Sequence, residues 1–371
     1  MRILKCKRRS LTVFLLILVI FIAEFIFMNH NYFLYSTTVA KVKKVTDTYL
    51  NSEEGVSGEE EKYYQQSLLM EIKNGPYKGR SIFVENTYSV SQIDSTRYRI
   101  HEDVFLNINA TGDEITAGIS GKKRDQYLVY MVTLLLIIMI VLAGRQGLLT
   151  LASLAVNITV FIVCINRYVK GTDYGKISFI MIMIFSVITL LILGGFTKKS
   201  LGAILSTLLT VLVIDALYRF IIYIETPPYE LMDYMVGPAD LSKIFTSGII
   251  IGCLGAVMDV AITINSAVHE IVVKSRNITF KVLVKSIREI GHDIMGTMIN
   301  VLLFTYISGS LPIILIKLRN GYTLENLVRF NIIFEIIRFL VGSIGIVLAV
   351  PISGLIAVLI MKVWRNKNSC C

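Results

Sequence analysis

Between residues 127 and 364 the sequence is a succession of apolar runs, each close to the length that crosses a bilayer. The runs cover 127–143, 147–165, 177–194, 201–224, 245–268, 294–316 and 331–364. A helix needs roughly 20 apolar residues to span a hydrocarbon core of roughly 30 Å, and backbone polar groups there must be satisfied within the helix. With the earlier run at 11–28, the pattern predicts about eight transmembrane helices. The composition fits that reading: 54% apolar residues, 17% charged residues and a mean hydropathy of +0.66 over 371 residues. A soluble globule has neither that apolar content nor so few charges.

A basic tail (Arg2, Lys5, Lys7, Arg8, Arg9) precedes the first run. That run is longer than a usual signal-peptide core and no small-residue cleavage site follows, so 1–29 reads as a tail plus membrane anchor. Residues 30–125 differ in kind. Period-two alternation predicts strands at 39–45, 66–72, 80–85, 98–100 and 104–108, with turns at Asn74-Gly75-Pro76 and Lys78-Gly79 and a loose acidic loop at 51–62. These imply a small β-barrel or sandwich outside the membrane. Residues 126–371 form a seven-helix bundle. Gly144–Gly147 reads as a tight hairpin, 269–291 as a basic loop, and 331–364 as a charged half followed by a span kinked at Pro351.

Loop charges set the expected orientation. With both termini inside, the inner segments carry 16 Lys and Arg and the short outer loops carry 7, as the positive-inside rule requires. The formal charge of +10 therefore reads as topology, and no nucleic-acid motif accompanies it. In the basic loop, Lys274, Arg276, Lys281, Lys285 and Arg288 alternate with Phe280, Leu283, Val284 and Ile287 at helical intervals, the pattern of an amphipathic helix on anionic lipid.

Ionisable groups inside the apolar runs are the candidate site, because a charge at the bilayer centre needs a partner or water. At about 100° per residue, Gly248, Gly252, Gly255, Asp259, Thr263 and Ser266 share one stripe, which reads as a helix-packing face holding one acid. Asp293, Thr297 and Asn300 share a face of the next span, with His292 beside them. Asp259, Asp293, His292 and Asn300 form the candidate polar or translocation site. Asp215 with Arg219, and Glu335 with Arg338, are spaced to pair on their own helices. These pairs read first as mutual neutralisation near the interface. Asp259, with no partner in its own helix, reads first as a site. Gly342 and Gly345 continue the packing stripe of the last span.

The sequence has no HExxH, GxSxG or GxxxxGK[ST]. Adjacent His292 and Asp293 diverge on a helix and make no dyad. Cys6, Cys164, Cys253, Cys370 and Cys371 make no CxxC. No residue is assigned to catalysis, a cofactor or a metal, and the chain reads as a non-enzyme.

Three runs, GCLGAVMDVAITINSAVHE, GHDIMGTMINVLLFTYISGSLP and EIIRFLVGSIGIVLAVPISGLIA, resemble the YibE/F-like family of bacterial membrane proteins over about 127–364. The outer domain resembles the family only loosely. The resemblance implies a multi-pass protein of the bacterial cytoplasmic membrane whose activity is not established. The expectation is a transporter or permease-like protein with a polar site at Asp259 and Asp293. The alternative is a non-transporting scaffold whose residues 30–125 recruit an envelope partner. The bilayer is the one partner implied throughout, and a homo-oligomer is compatible with either reading.

Overall fold

The computed structural model describes residues 17–54, 60–92, 95–111, 114–224, 241–275 and 279–368. The basic N-terminal tail, Arg276, the outer loop around Glu230 and the two terminal cysteines lie outside them. The described residues fall into two compact units, Met1–Leu142 and Ala143–Cys371.

The first unit begins with helix α1 (Ile17–Leu34), whose last turn, Asn31–Leu34, tightens to 3-10 geometry. Five antiparallel strands follow: β1 (Thr38–Glu54), β2 (Glu60–Ile72), β3 (Ser81–Ser89), β4 (Asp103–Thr111) and β5 (Glu114–Lys122), in the order β3-β2-β1-β4-β5. The outer strands β3 and β5 also meet, so the sheet curls on itself. Alternate residues point inward, as strand geometry dictates. Val42, Leu68, Met70, Val84, Val104 and Leu106 fill one core.

Three sequence expectations change here. The acidic stretch at 51–62 is mostly strand: β1 reaches Glu54 opposite Glu60, and cross-strand hydrogen bonds hold the arm without a core beneath it. Residues 98–100 are not a strand, although Tyr98 is buried. Buried Gln66 replaces a neighbouring strand, donating to the Tyr98 carbonyl at 3.1 Å and accepting its N–H at 3.0 Å. Strand β5 is the fifth member instead.

The second unit is helical. Helix α2 (Asp125–Val169) crosses into it; α3 (Tyr174–Gly194), α4 (Lys198–Ile224), α5 (Leu241–Lys274), α6 (Phe280–Arg319), the short α7 (Leu324–Leu327) and α8 (Ile333–Asn368) follow. Among the described residues, seven helices are long and apolar enough to cross a membrane, and α2 among them is two helical pieces that meet at Gly144. Where the hairpin is expected, at Gly144–Gly147, the two pieces of α2 meet at Gly144, which alone leaves helical geometry, at φ 53° and ψ −125°, a conformation open to glycine. The basic loop at 269–291 is also mostly helix. Helix α5 runs to Lys274, and α6 opens at Phe280 and continues directly into its apolar span. The last run is one helix through Pro351, preceded by a π turn at Val328–Ile332.

Helix α5 is the hub, packing on α3, α4, α6 and α8. Its buried face carries Phe245, Ile249, Cys253, Val257, Val260 and Ile264. Helix α8 approaches closely at two glycines. A Cβ on Gly342 would stand 2.8 Å from Leu302 Cδ2, and one on Gly345 would collide with Ile214.

Candidate functional site

The stripe that carries Asp259 does not face the bundle. Gly255, Asp259 and Thr263 are exposed, and Gly248 and Gly255 have nothing within reach of an added Cβ. Only Gly252 is used for close packing, against the Tyr306 hydroxyl. The reason is register: the larger apolar residues of α5 project on the other side and take the contacts. Asp259 sits close to the midpoint of α5. Its carboxylate has no hydrogen bond or ion pair among the described residues; only its backbone carbonyl accepts, from Thr263 Oγ1 at 2.7 Å.

Asp293, Thr297 and Asn300 share the exposed side of α6, with His292 exposed beside them. Thr297 Oγ1 donates to the Ile294 carbonyl at 2.9 Å and Asn300 Nδ2 to the Gly296 carbonyl at 2.8 Å. No bond among the described residues joins Asp259 to Asp293.

The charged pairs are placed differently. On α8, Arg338 Nη1 lies 2.6 Å from Glu335 Oε1, and the two side chains are each 23% exposed. The guanidinium also lies 4.9 Å from the centre of the Phe245 ring, a favourable cation–π arrangement. This pair lines a cavity of about 310 Å³ between α6, the π turn and α8, with Tyr306, Ser310 and Asn331 on its other walls. Pro312 in α6 has no N–H to give the Ser308 carbonyl, and the π turn widens the opposite wall, so neither wall is regular helix. Two polar atoms here are buried and unbonded, Arg338 Nε and Tyr306 Oη. Buried polar groups are normally satisfied, so these are unused bonding capacity at the cavity.

Asp215 and Arg219 pair at 2.7 Å on α4 and line a second cavity, of about 160 Å³, between α3, α4 and α5. Ser247 Oγ donates to Ser178 Oγ at 2.7 Å in its wall. At its rim Lys243 Nζ lies 3.1 Å from Asp173 Oδ2, and that ammonium holds the Asp173 carboxyl below its usual range. The Phe245 ring meets Tyr218 of α4 at 6.0 Å on one side and Phe334, which lines the first cavity, at 5.5 Å on the other.

Neither cavity is lined by Asp259 or Asp293. Sequence reasoning found both ion pairs through their spacing but missed Tyr306 and Ser310. Pro312 was the visible signal that α6 changes character there. Among the described residues no group of three or more His, Cys, Asp or Glu is placed to hold a metal.

Two family models match the chain: the YibE/F-like protein model over residues 131–363 and the YibE/F family N-terminal domain model over 33–122. The chain belongs to the YibE/F-like family. The second match corrects the sequence reading, in which the outer domain resembled the family only loosely. No curated protein and no solved structure matches. Family membership and seven long apolar helices point to a membrane protein. For this YibE/F-like chain, the cavity at Glu335 and Arg338 is the most developed polar site among the described residues of the bundle.

Proposed function

We propose that the protein is a permease-like carrier of a small polar solute, with the Tyr306–Glu335–Arg338 cavity as its binding site. The observation that carries this is the unsatisfied pair of buried atoms, Tyr306 Oη and Arg338 Nε, on the wall of a cavity between membrane helices. A structural ion pair would consume its own polar capacity, because leaving buried donors unmade is costly. The volume is at the small end of ligand pockets. In this reading the protein lies in the cytoplasmic membrane with both termini inside and the β-domain outside. Asp259, an unpaired acid in the middle of its helix that needs water or a partner, provides a separate polar station with Asp293.

Site-directed accessibility tests it. With native cysteines replaced, Ser310→Cys should react with membrane-impermeant thiol reagents from each side of the membrane, as alternating exposure of a carrier site demands. Labelling from one side alone would sink the carrier reading. In vesicles, Asp259→Asn should also abolish coupled uptake without unfolding the protein; undiminished uptake removes Asp259 from the route.

The scaffold reading is favoured by a different observation. The β1–β2 arm extends beyond the sheet core and presents exposed Tyr49 and Leu50, a surface suited to an envelope protein. It predicts that removing the arm abolishes the cellular phenotype while Asp259→Asn leaves it intact.

A further inference from the structure

Where α1 ends, the first unit forms a cationic cup. Lys41 and Lys43 project from β1, Lys73 follows β2, and Lys78 lies in the turn before β3; His30 and His101 complete the wall. The cup encloses about 820 Å³. Two carboxylates answer these lysines. Glu71 lies 2.8 Å from Lys43 Nζ and 2.6 Å from Lys73 Nζ, and Asp103 lies 4.0 Å from Lys41 Nζ. Lys78 Nζ has no partner among the described residues. Four ammonium groups against two carboxylates leave two positive charges for a guest.

The same end of α1 carries an apolar collar. Phe33 is 73% exposed, Leu34 59% and Phe27 49%, and the Phe27 and Phe33 rings meet edge to face at 6.4 Å. Phe33 also lines the cup. Aromatic residues at the end of an apolar helix mark the level of the headgroups, and basic residues there attract anionic lipid.

We propose that this cup binds the phosphate of an anionic phospholipid in the leaflet where α1 ends, with the acyl chains lying along Phe27, Phe33 and Leu34. Charge complementarity requires an anion, and the continuous apolar collar selects a lipid over a free phosphate or an acidic protein segment. The assignment does not depend on whether the bundle transports anything.

The test uses the full-length protein in nanodiscs of phosphatidylcholine with a minority of phosphatidylglycerol, followed by extraction and mass spectrometry of retained lipid. Phosphatidylglycerol should be enriched over its bulk share. Enrichment should fall about five-fold or more in Lys41→Gln/Lys43→Gln/Lys78→Gln, and markedly in Lys78→Glu alone, a surface change that leaves every ion pair in place. Phe33→Ser should weaken retention, and millimolar inorganic phosphate should not displace the lipid. No enrichment, or enrichment unchanged in a folded Lys78→Glu protein, overturns the proposal. Displacement by inorganic phosphate with no effect of Phe33→Ser makes it a free-phosphate site and overturns the lipid assignment.

Discussion

Lys123 Nζ lies 2.7 Å from Asn31 Oδ1, although 92 residues separate them. The lysine side chain is only 2% exposed. It also reaches Asp125 Oδ2 at 3.5 Å and lies over the rings of Tyr32 and Tyr35 at 5.5 and 5.4 Å. One ammonium thereby ties the end of α1, the last strand and the start of α2 together. Lys123→Met should orphan the buried Asn31 Oδ1 and remove the cation beside Asp125, which keeps its bonds from Asn31 and Tyr35, costing about 1–3 kcal/mol. Thermal unfolding and protease sensitivity of the purified protein would report it; an unchanged melting curve would mean that the three elements are held by something else.

The Gln66 side chain satisfies all four of its bonds. Its amide N–H groups donate to Asp47 and the Tyr98 carbonyl, and its oxygen accepts from Asn86 and the Tyr98 N–H. Gln66→Leu keeps the volume but orphans the Tyr98 backbone, at a cost of about 2–4 kcal/mol. Hydrogen exchange should show the Tyr98 amide losing its protection before the β1–β2 ladder does.

Glu71 gives the β-domain a pH dependence. Hydrogen bonds from Lys43 and Lys73 lower its pKa from 4.5 to about 2. A depressed carboxyl pKa stabilises the fold above the unfolded value and loses that contribution as pH falls through the folded one. Stability should therefore decline between pH 4.5 and about 2. Glu71→Gln should be less stable at neutral pH and flatter through that window, as followed by near-UV circular dichroism.

Helix α8 and helix α5 should respond in opposite ways to a single methyl group. Gly345→Ala meets Ile214 and should cost about 1–3 kcal/mol through overpacking. Gly255→Ala meets nothing and should be neutral, or stabilising by up to about 1 kcal/mol, because alanine is the better helix former. Melting temperatures in one detergent decide between them. Equal losses would mean that both faces are packed.

Removing Arg338 alone should leave Glu335 charged and unpaired, whereas Glu335→Gln/Arg338→Gln removes both charges. The single change should cost about 3–5 kcal/mol and the double change less. A double-mutant cycle in thermal stability measures the difference, and simple additivity would show that the pair is not coupled.

The sequence made helices legible and faces less so. Long apolar runs identify α3 to α6 because length and hydropathy suffice, and i+3 or i+4 spacing was enough for Glu335–Arg338 and Asp215–Arg219. Small-residue periodicity is weaker: it fits Gly345, which a neighbour touches, and Gly255, which none does, because a stripe has no record of where the next helix lies. Strand β5 was hidden by Gly118 and Gly121, which lower strand propensity. Tyr98 read as strand because its burial was visible while its partner, a side chain rather than a strand, was not. The π turn beside the Arg338 cavity has no compositional signature.

Gly144 sets a limit on length. As a straight helix, 45 residues at 1.5 Å each would measure about 67 Å, more than twice the roughly 30 Å apolar thickness of a bilayer. Without a break the excess would have to stand out in water as an unbroken greasy rod. One residue without a Cβ divides that length into two pieces, each of which a membrane can cover.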